Sequence, residues 1–369
     1  MLAYHHFTQH VEEIVDTNPS AAEDEGQRGV VGDAEGLHAT LAAEDMPQEA
    51  DEMALFCEQM MDALGRSFRS GVSRPKSKRL EQLKNLLELL ERHEAELIDA
   101  LREDLGRPAT ESLIYDVLSP KHEIKSLIKN LGTWMKPEPV ADSLVTFPAT
   151  TALYPEPFGV VFVCGTWNFP IMLTLVPLAA AIAGGNCVVV KPSQVSGASA
   201  RLLGRLLRQY MDPRVVRVVG HTHPRDRHVI SALMRHPFDY IFYTGSPAVG
   251  RKIMVQAAEF LTPCTLELGG KNPVIVSKDA NIDLAAKRTV WGRMMNAGQQ
   301  CIAPDFVLAE GDVVDAFLDR CAHHIRTMYD SRAAMGRIVD GSRMGRLVQL
   351  LEDCRENIVV GGDYDVASR

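Results

Sequence analysis

The sequence predicts an α/β protein built on a doubly wound parallel sheet, and two patterns carry this prediction. Between residues 159 and 243, four short apolar segments typical of buried strands alternate with longer helical segments. Continuous apolar strands that alternate with helices indicate a parallel sheet covered on both faces. Ahead of this region, residues 53–135 show the period of amphipathic helices.

The helical region contains a stripe of leucines that recur at steps of three and four residues. Its members are Leu80, Leu83, Leu87, Leu90, Leu97 and Leu101. Gly106 and Pro108 are predicted to end this helical run. We interpret the stripe as a core-facing surface rather than a partner-binding surface, because this spacing is typical of helices packed on a core.

The predicted strands and helices alternate in a regular order. The strands are Gly159–Cys164, Cys187–Lys191, Arg214–Val219 and Asp239–Tyr243, and the helices cover Leu173–Ala183 and Ala198–Tyr210 and begin again at Pro247. Ligands of such sheets bind at the carboxyl ends of the strands. Residues directly after each strand are therefore the candidate site residues.

The charge of the chain is unevenly distributed. The formal net charge is −9, and residues 1–52 contain thirteen acidic residues against one basic residue, Arg28. This segment therefore carries −12, which leaves +3 for the rest of the chain and gives no indication of a nucleic-acid surface. Its acidic, aperiodic composition predicts a disordered extension.

The cysteine pattern and the absence of targeting signals predict a cytoplasmic protein. Seven cysteines occur without the spacing of a disulfide framework or a metal site, which favours a reducing compartment and no bound metal. We find no apolar run long enough to cross a membrane, and the N-terminus lacks the pattern of a signal or transit peptide.

Two features after the strands are candidate phosphate-binding elements. The glycine-rich turn Thr244–Gly250 opens a helix, where backbone N–H groups and the helix dipole favour an anion. Lys191 ends the second strand and can reach a ribose or phosphate of a nucleotide. Taken singly, each is open to a plainer interpretation, as an ordinary strand–helix turn and a solvated lysine.

Three further residues are candidates for the chemistry. Asn168 lies in the turn after the first strand and can donate its amide to an oxyanion. Glu267 is flanked by leucines, where desolvation would raise a carboxyl pKa and suit it to general-base work. Cys301 follows a glycine-containing turn and can act as a thiolate nucleophile. The alternatives are a turn residue, a carboxylate held by backbone N–H groups and a structural cysteine.

The ordered motifs resemble those of the aldehyde dehydrogenase superfamily. They are TWNFP, KPS, TGSPAVG, LELGGKNP and GQQC, and the extended wording GQQCIAPD is similar to the class 3 branch. The resemblance implies a variant dinucleotide-binding domain, a catalytic domain and an oligomerisation arm. It implies that Cys301 is the nucleophile and Glu267 the general base, and that Asn168 and the Cys301 backbone N–H form the oxyanion hole.

The resemblance also implies a cofactor and a substrate. NAD or NADP is expected as the cofactor, an aldehyde as the substrate and a homodimer as the assembly of the full-length family. The expected cofactor-binding residues are Trp167, Lys191, Gln194, Gly245, Ser246 and Gly250. Many relatives have glutamate at the position of Gln194, where it bonds the adenosine ribose and repels a 2′-phosphate. Gln194 is therefore expected to make the protein permissive toward NADP.

The resemblance suggests three segments, with the last one incomplete. They are the extension at 1–52, the N-terminal helices with the dinucleotide-binding domain at 53–270, and a truncated α/β catalytic domain at 271–369. The Glu-Ile-Phe-Gly-Pro stretch of the family is not found, so the chain is expected to be a fragment. Two other functions remain open: a cofactor-independent thiol esterase and a catalytically silent homologue that acts by binding.

Overall fold

The computed structural model describes residues 50–141, 144–220, 227–329 and 335–369. The predicted extension therefore lies outside the described residues, except for its last three positions, which begin the first helix. The N-terminal helices are α1 (Ala50–Ser70), α2 (Lys76–Arg92), α3 (Glu94–Leu105), α4 (Ala109–Ser112) and α5 (Ser119–Trp134), with a π-helical segment at Leu113–Leu118 between the last two.

The leucine stripe of α2 and α3 faces the core, as predicted. Leu83, Leu90, Leu97 and Leu101 are fully buried, whereas Leu80 and Leu87 are partly buried and pack against the same cluster. Helix α3 ends at Gly106, which adopts a left-handed conformation with φ of 58° that glycine tolerates without steric cost. The predicted end of the helical run at this glycine is confirmed.

The chain then forms a short antiparallel pair and a five-stranded sheet. The pair is β1 (Glu138–Pro139) with β2 (Ala152–Leu153). The sheet contains β3 (Val160–Cys164), β4 (Cys187–Lys191), β5 (Val216–Val218), β6 (Tyr240–Thr244) and β7 (Cys264–Glu267), connected by α6 (Met172–Ala183), α7 (Gly197–Tyr210), α8 (Arg227–Leu233) and α9 (Pro247–Glu259).

All strands of the larger sheet are parallel, in the order β5-β4-β3-β6-β7. The chain moves outward from β3 through β4 to β5 and then returns to the other side of β3 at β6. The direction of winding thus reverses between β3 and β6, which is the point where sheets of this kind bind ligands. The predicted doubly wound architecture is confirmed.

Alternate residues of the central strands pack into two different cores. Val161 and Val163 of β3 face the cluster formed with α2, α3, α5, α6 and α7. Val160 and Phe162 face the opposite cluster, which contains residues of α1, α8 and α9. This period of two explains why β3 is apolar at every position, since both of its faces are covered.

The last part of the described chain forms a smaller α/β region. Its elements are β8 (Asn272–Val276), α10 (Ile282–Met294), β9 (Pro304–Ala309), α11 (Val314–Met328) and α12 (Gly341–Asp353), with 3-10 helices at Met295–Gly298, Gly311–Val313 and Arg355–Asn357. Strands β8 and β9 form a parallel two-stranded sheet. The predicted domain boundary at 270 falls between β7 and β8 and stays a prediction. No helix in the described ranges is long and apolar enough to cross a membrane.

Candidate active site

The turns after β3, β6 and β7 meet the loop before β9 around one cavity of about 520 Å³. All three candidates for the chemistry line this cavity: Asn168, Glu267 and Cys301. Of the expected cofactor-binding residues, Trp167, Gly245 and Ser246 line it as well, whereas Lys191, Gln194 and Gly250 do not. The topology thus brings together residues from four separate stretches of the sequence.

Asn168 is fixed by hydrogen bonds at both its backbone and its side chain. It follows the central strand β3, and only 9% of it is exposed. Its side-chain Nδ2 donates to the Gln299 carbonyl oxygen at 2.9 Å, and its own carbonyl oxygen accepts from Asn296 Nδ2 at 2.9 Å. One N–H of the side-chain amide therefore lies against the loop that carries Cys301, and the amide has a second N–H to donate.

The Cys301 side chain is exposed, and its loop is tied to the β7–β8 connection. Asn272 Nδ2 donates to the carbonyl oxygens of Cys301 at 2.7 Å and Ala303 at 3.1 Å. Among the residues that the structure describes, none accepts a hydrogen bond from the Cys301 backbone N–H. This donor is available to a ligand, as the sequence predicts for an oxyanion hole.

The loop ahead of Cys301 contains a left-handed turn. Asn296, Ala297 and Gly298 have φ of 52°, 53° and 72°. Left-handed backbone costs a residue other than glycine about 1–2 kcal/mol, so the first two positions are strained. Gln299 stabilises the turn because its Nε2 donates to the Asn296 carbonyl oxygen at 3.0 Å. Gln300 Nε2 donates to the Met295 carbonyl oxygen at 2.9 Å.

A buried arginine lies behind this turn. Arg107 donates Nη2 to Asn296 Oδ1 at 2.8 Å and to the Asn168 carbonyl oxygen at 2.5 Å, and its Nη1 forms an ion pair with Asp116. Burial raises the pKa of Asp116, and the charge of Arg107 opposes this shift. Burial likewise raises the pKa of Glu111, which accepts a hydrogen bond from the Asn296 backbone N–H at 2.6 Å. No local sequence pattern indicated this network.

Glu267 lies at the end of β7 and lines the cavity, but its predicted burial among leucines is wrong. Strand β7 is at the edge of the five-stranded sheet, and Glu267 is exposed. The flanking residues Leu266 and Leu268 are only half-buried, because an edge strand lacks a neighbour on one side. The flanking leucines singled out this carboxylate, but β7 was not among the predicted strands and the exposure of Glu267 was not foreseen.

The glycine-rich turn after β6 has the form expected of a helix-opening anion site. Ser246 is the N-cap of α9, with its hydroxyl accepting from the Val249 backbone N–H at 3.4 Å. A Cβ atom at Gly245 would lie 2.2 Å from the Tyr243 hydroxyl oxygen, so this close turn requires glycine. At Gly250 a Cβ would lie 3.0 Å from Leu268, which assigns Gly250 to packing of α9 on β7.

Lys191 and Gln194 form a pair at the end of β4. Lys191 is only 2% exposed, so the alternative of a solvated lysine is wrong for this structure. Its Nζ donates to Gln194 Oε1 at 2.5 Å and to the Pro192 carbonyl oxygen at 3.2 Å. Gln194 is half-buried, and its amide oxygen accepts a hydrogen bond from the Lys191 ammonium group.

Three arginines that the sequence analysis did not select also line the cavity: Arg293, Arg343 and Arg346. The Arg343 guanidinium lies 4.7 Å from the centre of the Trp167 ring, a cation–π contact. Among the described residues that line the cavity, Glu267 is the one acidic residue, while Arg343 pairs with Asp340 and Arg293 lies 3.9 Å from Asp305. Because two of these arginines lie on α12, far along the chain from the motifs, no local pattern marked them.

Comparisons with known proteins agree with this geometry. The profile described as "Aldehyde dehydrogenase family" matches residues 49–368. The chain is 41% identical over 313 residues to "Aldehyde dehydrogenase family 3 member H1" of Arabidopsis thaliana, covering 83% of this chain and 64% of that protein. It is 37% identical over 307 residues to "Aldehyde dehydrogenase, dimeric NADP-preferring" of the dog, covering 82% of this chain and 66% of that protein. The chain thus spans about two thirds of the length of these relatives.

Solved structures give the same result. The substrate-bound AldH of Staphylococcus aureus superposes with a TM-score of 0.80 and 34% identity, covering 85% of this chain and 68% of that one. The NAD+ complex of aldehyde dehydrogenase from Bacillus cereus superposes with a TM-score of 0.72 and 25% identity, covering 84% of this chain and 65% of that one. The predicted fold and the resemblance to the class 3 branch are therefore confirmed.

Proposed function

Because this chain belongs to the aldehyde dehydrogenase family, we propose that it oxidises an aldehyde to a carboxylic acid with NAD or NADP as the oxidant. One observation carries the proposal: Cys301, Asn168 and Glu267 line a single cavity together with a glycine-rich turn that opens a helix. A nucleophile, an amide donor, a carboxylate and an anion-binding turn are the groups this reaction needs.

The first step is addition of the Cys301 thiolate to the aldehyde carbon. This forms a carbon–sulfur bond and moves charge to the aldehyde oxygen, giving a thiohemiacetal. The Asn168 side-chain amide and the Cys301 backbone N–H are the donors that stabilise this charge. Their roles are supported by the anchoring of Asn168 to the Cys301 loop and by the unused N–H of Cys301.

The charges around the cavity suit a dinucleotide. Three arginines and the N-terminus of α9 face it, and this donor set complements a pyrophosphate. Gly245 and Ser246 would hold the phosphates, and Trp167 would lie against the cofactor. Lys191 and Gln194 would bind the adenosine ribose from the end of β4, and Gly250 would contribute by packing α9. When bound, the nicotinamide accepts the hydride that leaves the substrate carbon.

Glu267 acts in the second half of the reaction. Loss of hydride leaves an acyl group on Cys301 as a thioester, which water must hydrolyse. The Glu267 carboxylate takes the proton of that water, and Cys301 leaves as the thiolate. Its exposed position on an edge strand supports this role, because solvent reaches the carboxylate directly.

The test is cofactor reduction by the purified full chain. Aliphatic and aromatic aldehydes are supplied with NAD or NADP, and the absorbance of the reduced cofactor is followed for the unchanged chain and for Cys301→Ala. We expect reduction with the unchanged chain and none with the variant. Hydrolysis of esters without any cofactor reduction would instead support the thiol esterase, and neither activity would support the silent homologue.

A further inference from the structure

We propose that Arg107 is a positioning residue that holds the Cys301 loop and the Asn168 amide in their relative places, an inference that rests on the proposed function. The Arg107 side chain is completely buried. Its guanidinium donates to the Asn168 carbonyl oxygen at 2.5 Å and to Asn296 Oδ1 at 2.8 Å. One cation thus links the turn that carries the oxyanion donor to the loop that carries the nucleophile.

Asn296 is the residue through which this link reaches Cys301. Its backbone is left-handed, with φ of 52°, and residues in such conformations persist only where their surroundings hold them. Its partners include Arg107 on Oδ1, the Asn168 carbonyl on Nδ2 at 2.9 Å, the Gln299 carbonyl on Nδ2 at 3.2 Å and Glu111 on the backbone N–H at 2.6 Å. The strained residues Asn296 and Ala297 lie five and four positions before Cys301. Strained backbone that so many hydrogen bonds stabilise indicates a functional constraint.

Asp116 fixes the other side of the guanidinium. It is fully buried and pairs with Arg107 Nη1. Its Oδ1 accepts hydrogen bonds from the backbone N–H groups of Ile171 at 3.1 Å and Met172 at 2.9 Å, which begin α6. Because α6 directly follows the Asn168 turn, Arg107 is anchored to the same rigid unit as Asn168. Weakening the network should therefore shift Cys301 relative to Asn168 while both side chains stay intact.

Two reactions of the Cys301 sulfur distinguish a positioning role of Arg107 from a general contribution to stability. With p-nitrophenyl acetate, the Cys301 thiolate attacks the ester carbon, a carbon–sulfur bond forms and p-nitrophenolate leaves, by way of an oxyanion beside Asn168. With iodoacetamide, the thiolate displaces iodide from carbon and no oxyanion develops. The ratio of the acylation rate to the alkylation rate at Cys301 therefore measures how well the nucleophile and the oxyanion donors are aligned.

Two variants loosen the network without removing a donor or the nucleophile. Asn296→Gly keeps a residue that favours the left-handed backbone and retains the N–H bonded to Glu111, but it removes the side-chain link. The double variant Arg107→Met with Asp116→Asn avoids leaving the fully buried Asp116 carboxylate unpaired and leaves an acceptor for the N–H groups of α6. Complete loss of an oxyanion donor costs about 10²–10³-fold. We expect the rate ratio to fall at least about tenfold in both variants, toward the value of Asn168→Ala.

Arg79→Met is the matched control, since Arg79 is a buried arginine elsewhere. It donates to the carbonyl oxygens of Arg74 at 2.9 Å and Ala183 at 3.0 Å. This control should lower thermal stability and leave the rate ratio unchanged. Mass spectrometry of the alkylated peptides compares Cys301 with Cys354, the other exposed cysteine in the described residues, whose rate reports general loosening.

The outcomes separate this inference from the proposed function. A lowered ratio in both network variants, with the Arg79→Met ratio unchanged, supports the positioning role. An unchanged ratio in both network variants, while Asn168→Ala lowers it, overturns the role. So does an equal fall in the Arg79→Met control. Because neither probe needs a cofactor, failure of the chain to reduce NAD or NADP would contradict the proposed function and leave this result standing.

Discussion

The two parallel sheets of this protein differ sharply in how they are buried. All five residues of β3 and all five of β4 are buried, and the five-stranded sheet is covered by a core on each face. In β8 and β9, Ile275, Phe306 and Leu308 are exposed, and the local core of the described residues has four buried members. The candidate active site draws on both regions, because Asn168 follows one strand of the larger sheet, Glu267 ends another and Cys301 precedes a strand of the smaller sheet.

This difference explains why so many hydrogen bonds hold the loop that carries Cys301. The Asn168 turn extends from the central buried strand, so core packing supports it in addition to its hydrogen bonds. The Cys301 loop has little buried surface of its own and is held by polar contacts instead, from Asn272 on one side and from Arg107 and Glu111 through Asn296 on the other. Directional hydrogen bonds to buried groups define position more sharply than a small apolar core can.

The largest expected effect on activity is that of a substitution at Cys301, beside the smaller sheet. Cys301→Ser should reduce aldehyde oxidation to background, because a serine hydroxyl is a far weaker nucleophile than a thiolate. No histidine is among the described residues that line the cavity, so none of these would activate the hydroxyl. The rate of cofactor reduction measures this effect. Cys354→Ser, at the other exposed cysteine of the described chain, is the control and should keep the unchanged rate. Turnover by the Cys301→Ser variant would remove Cys301 from the mechanism.

The next effect comes from the larger sheet. Glu267→Gln should slow thioester hydrolysis by about 10²–10⁴-fold, because it removes the base for water and leaves hydride transfer intact. Stopped-flow absorbance should therefore show one rapid burst of reduced cofactor followed by a near stop. Glu259→Gln, at the end of α9 and outside the cavity lining, should behave as the unchanged chain. Equal slowing of burst and steady state would instead give Glu267 a structural role.

Side-chain truncations, one in each sheet, test directly whether the two sheets differ in burial. Phe162 of β3 is fully buried, and Phe162→Ala should lower the free energy of unfolding by about 3–5 kcal/mol through lost burial and a new cavity. Ile275 of β8 is 77% exposed, and Ile275→Ala should change it by less than about 0.5 kcal/mol. Urea denaturation at one pH measures both values. Similar losses at the two sites would show that β8 is as well packed as β3.

The smallest effect concerns cofactor choice at the end of β4. Gln194→Glu places a carboxylate beside Lys191 and should lower the ratio of kcat/KM for NADP to that for NAD by about tenfold, since like charges about 4 Å apart repel by roughly 1–4 kcal/mol. Gln209→Glu, on α7 and away from this strand end, is a control for added charge. An unaltered ratio in Gln194→Glu would mean that this side chain does not read the 2′ position.

Local patterns predicted four of the five strands of the larger sheet, and the edge strand β7 was not among them. The predicted strand Cys187–Lys191 coincides with β4, because a glycine pair precedes the apolar run and Pro192 follows it closely. The exposure of Glu267 was missed because the edge position of β7 depends on the order of the strands, which no local pattern contains. Burial of both faces makes a strand easy to recognise, whereas a position within a sheet is set by the whole fold.

The contacts that organise the site were also outside the reach of local patterns. Arg107 follows the glycine that ends α3 and looks like a surface residue beside a helix end. Its partners Asn168 and Asn296 lie far along the chain, so only the folded structure brings the three together. The motifs predicted the reacting groups, and the tertiary structure shows which residues contact them.

The most direct test of the central claim is to identify the acyl intermediate on Cys301. The Glu267→Gln variant is mixed with an aldehyde and NAD or NADP, quenched in acid and digested, and the peptides are examined by mass spectrometry. The account predicts that the Cys301 peptide gains the mass of the acyl group, and only when aldehyde and oxidised cofactor are both present. An acyl group on another residue, or none on Cys301 while the cofactor is reduced, would contradict the account.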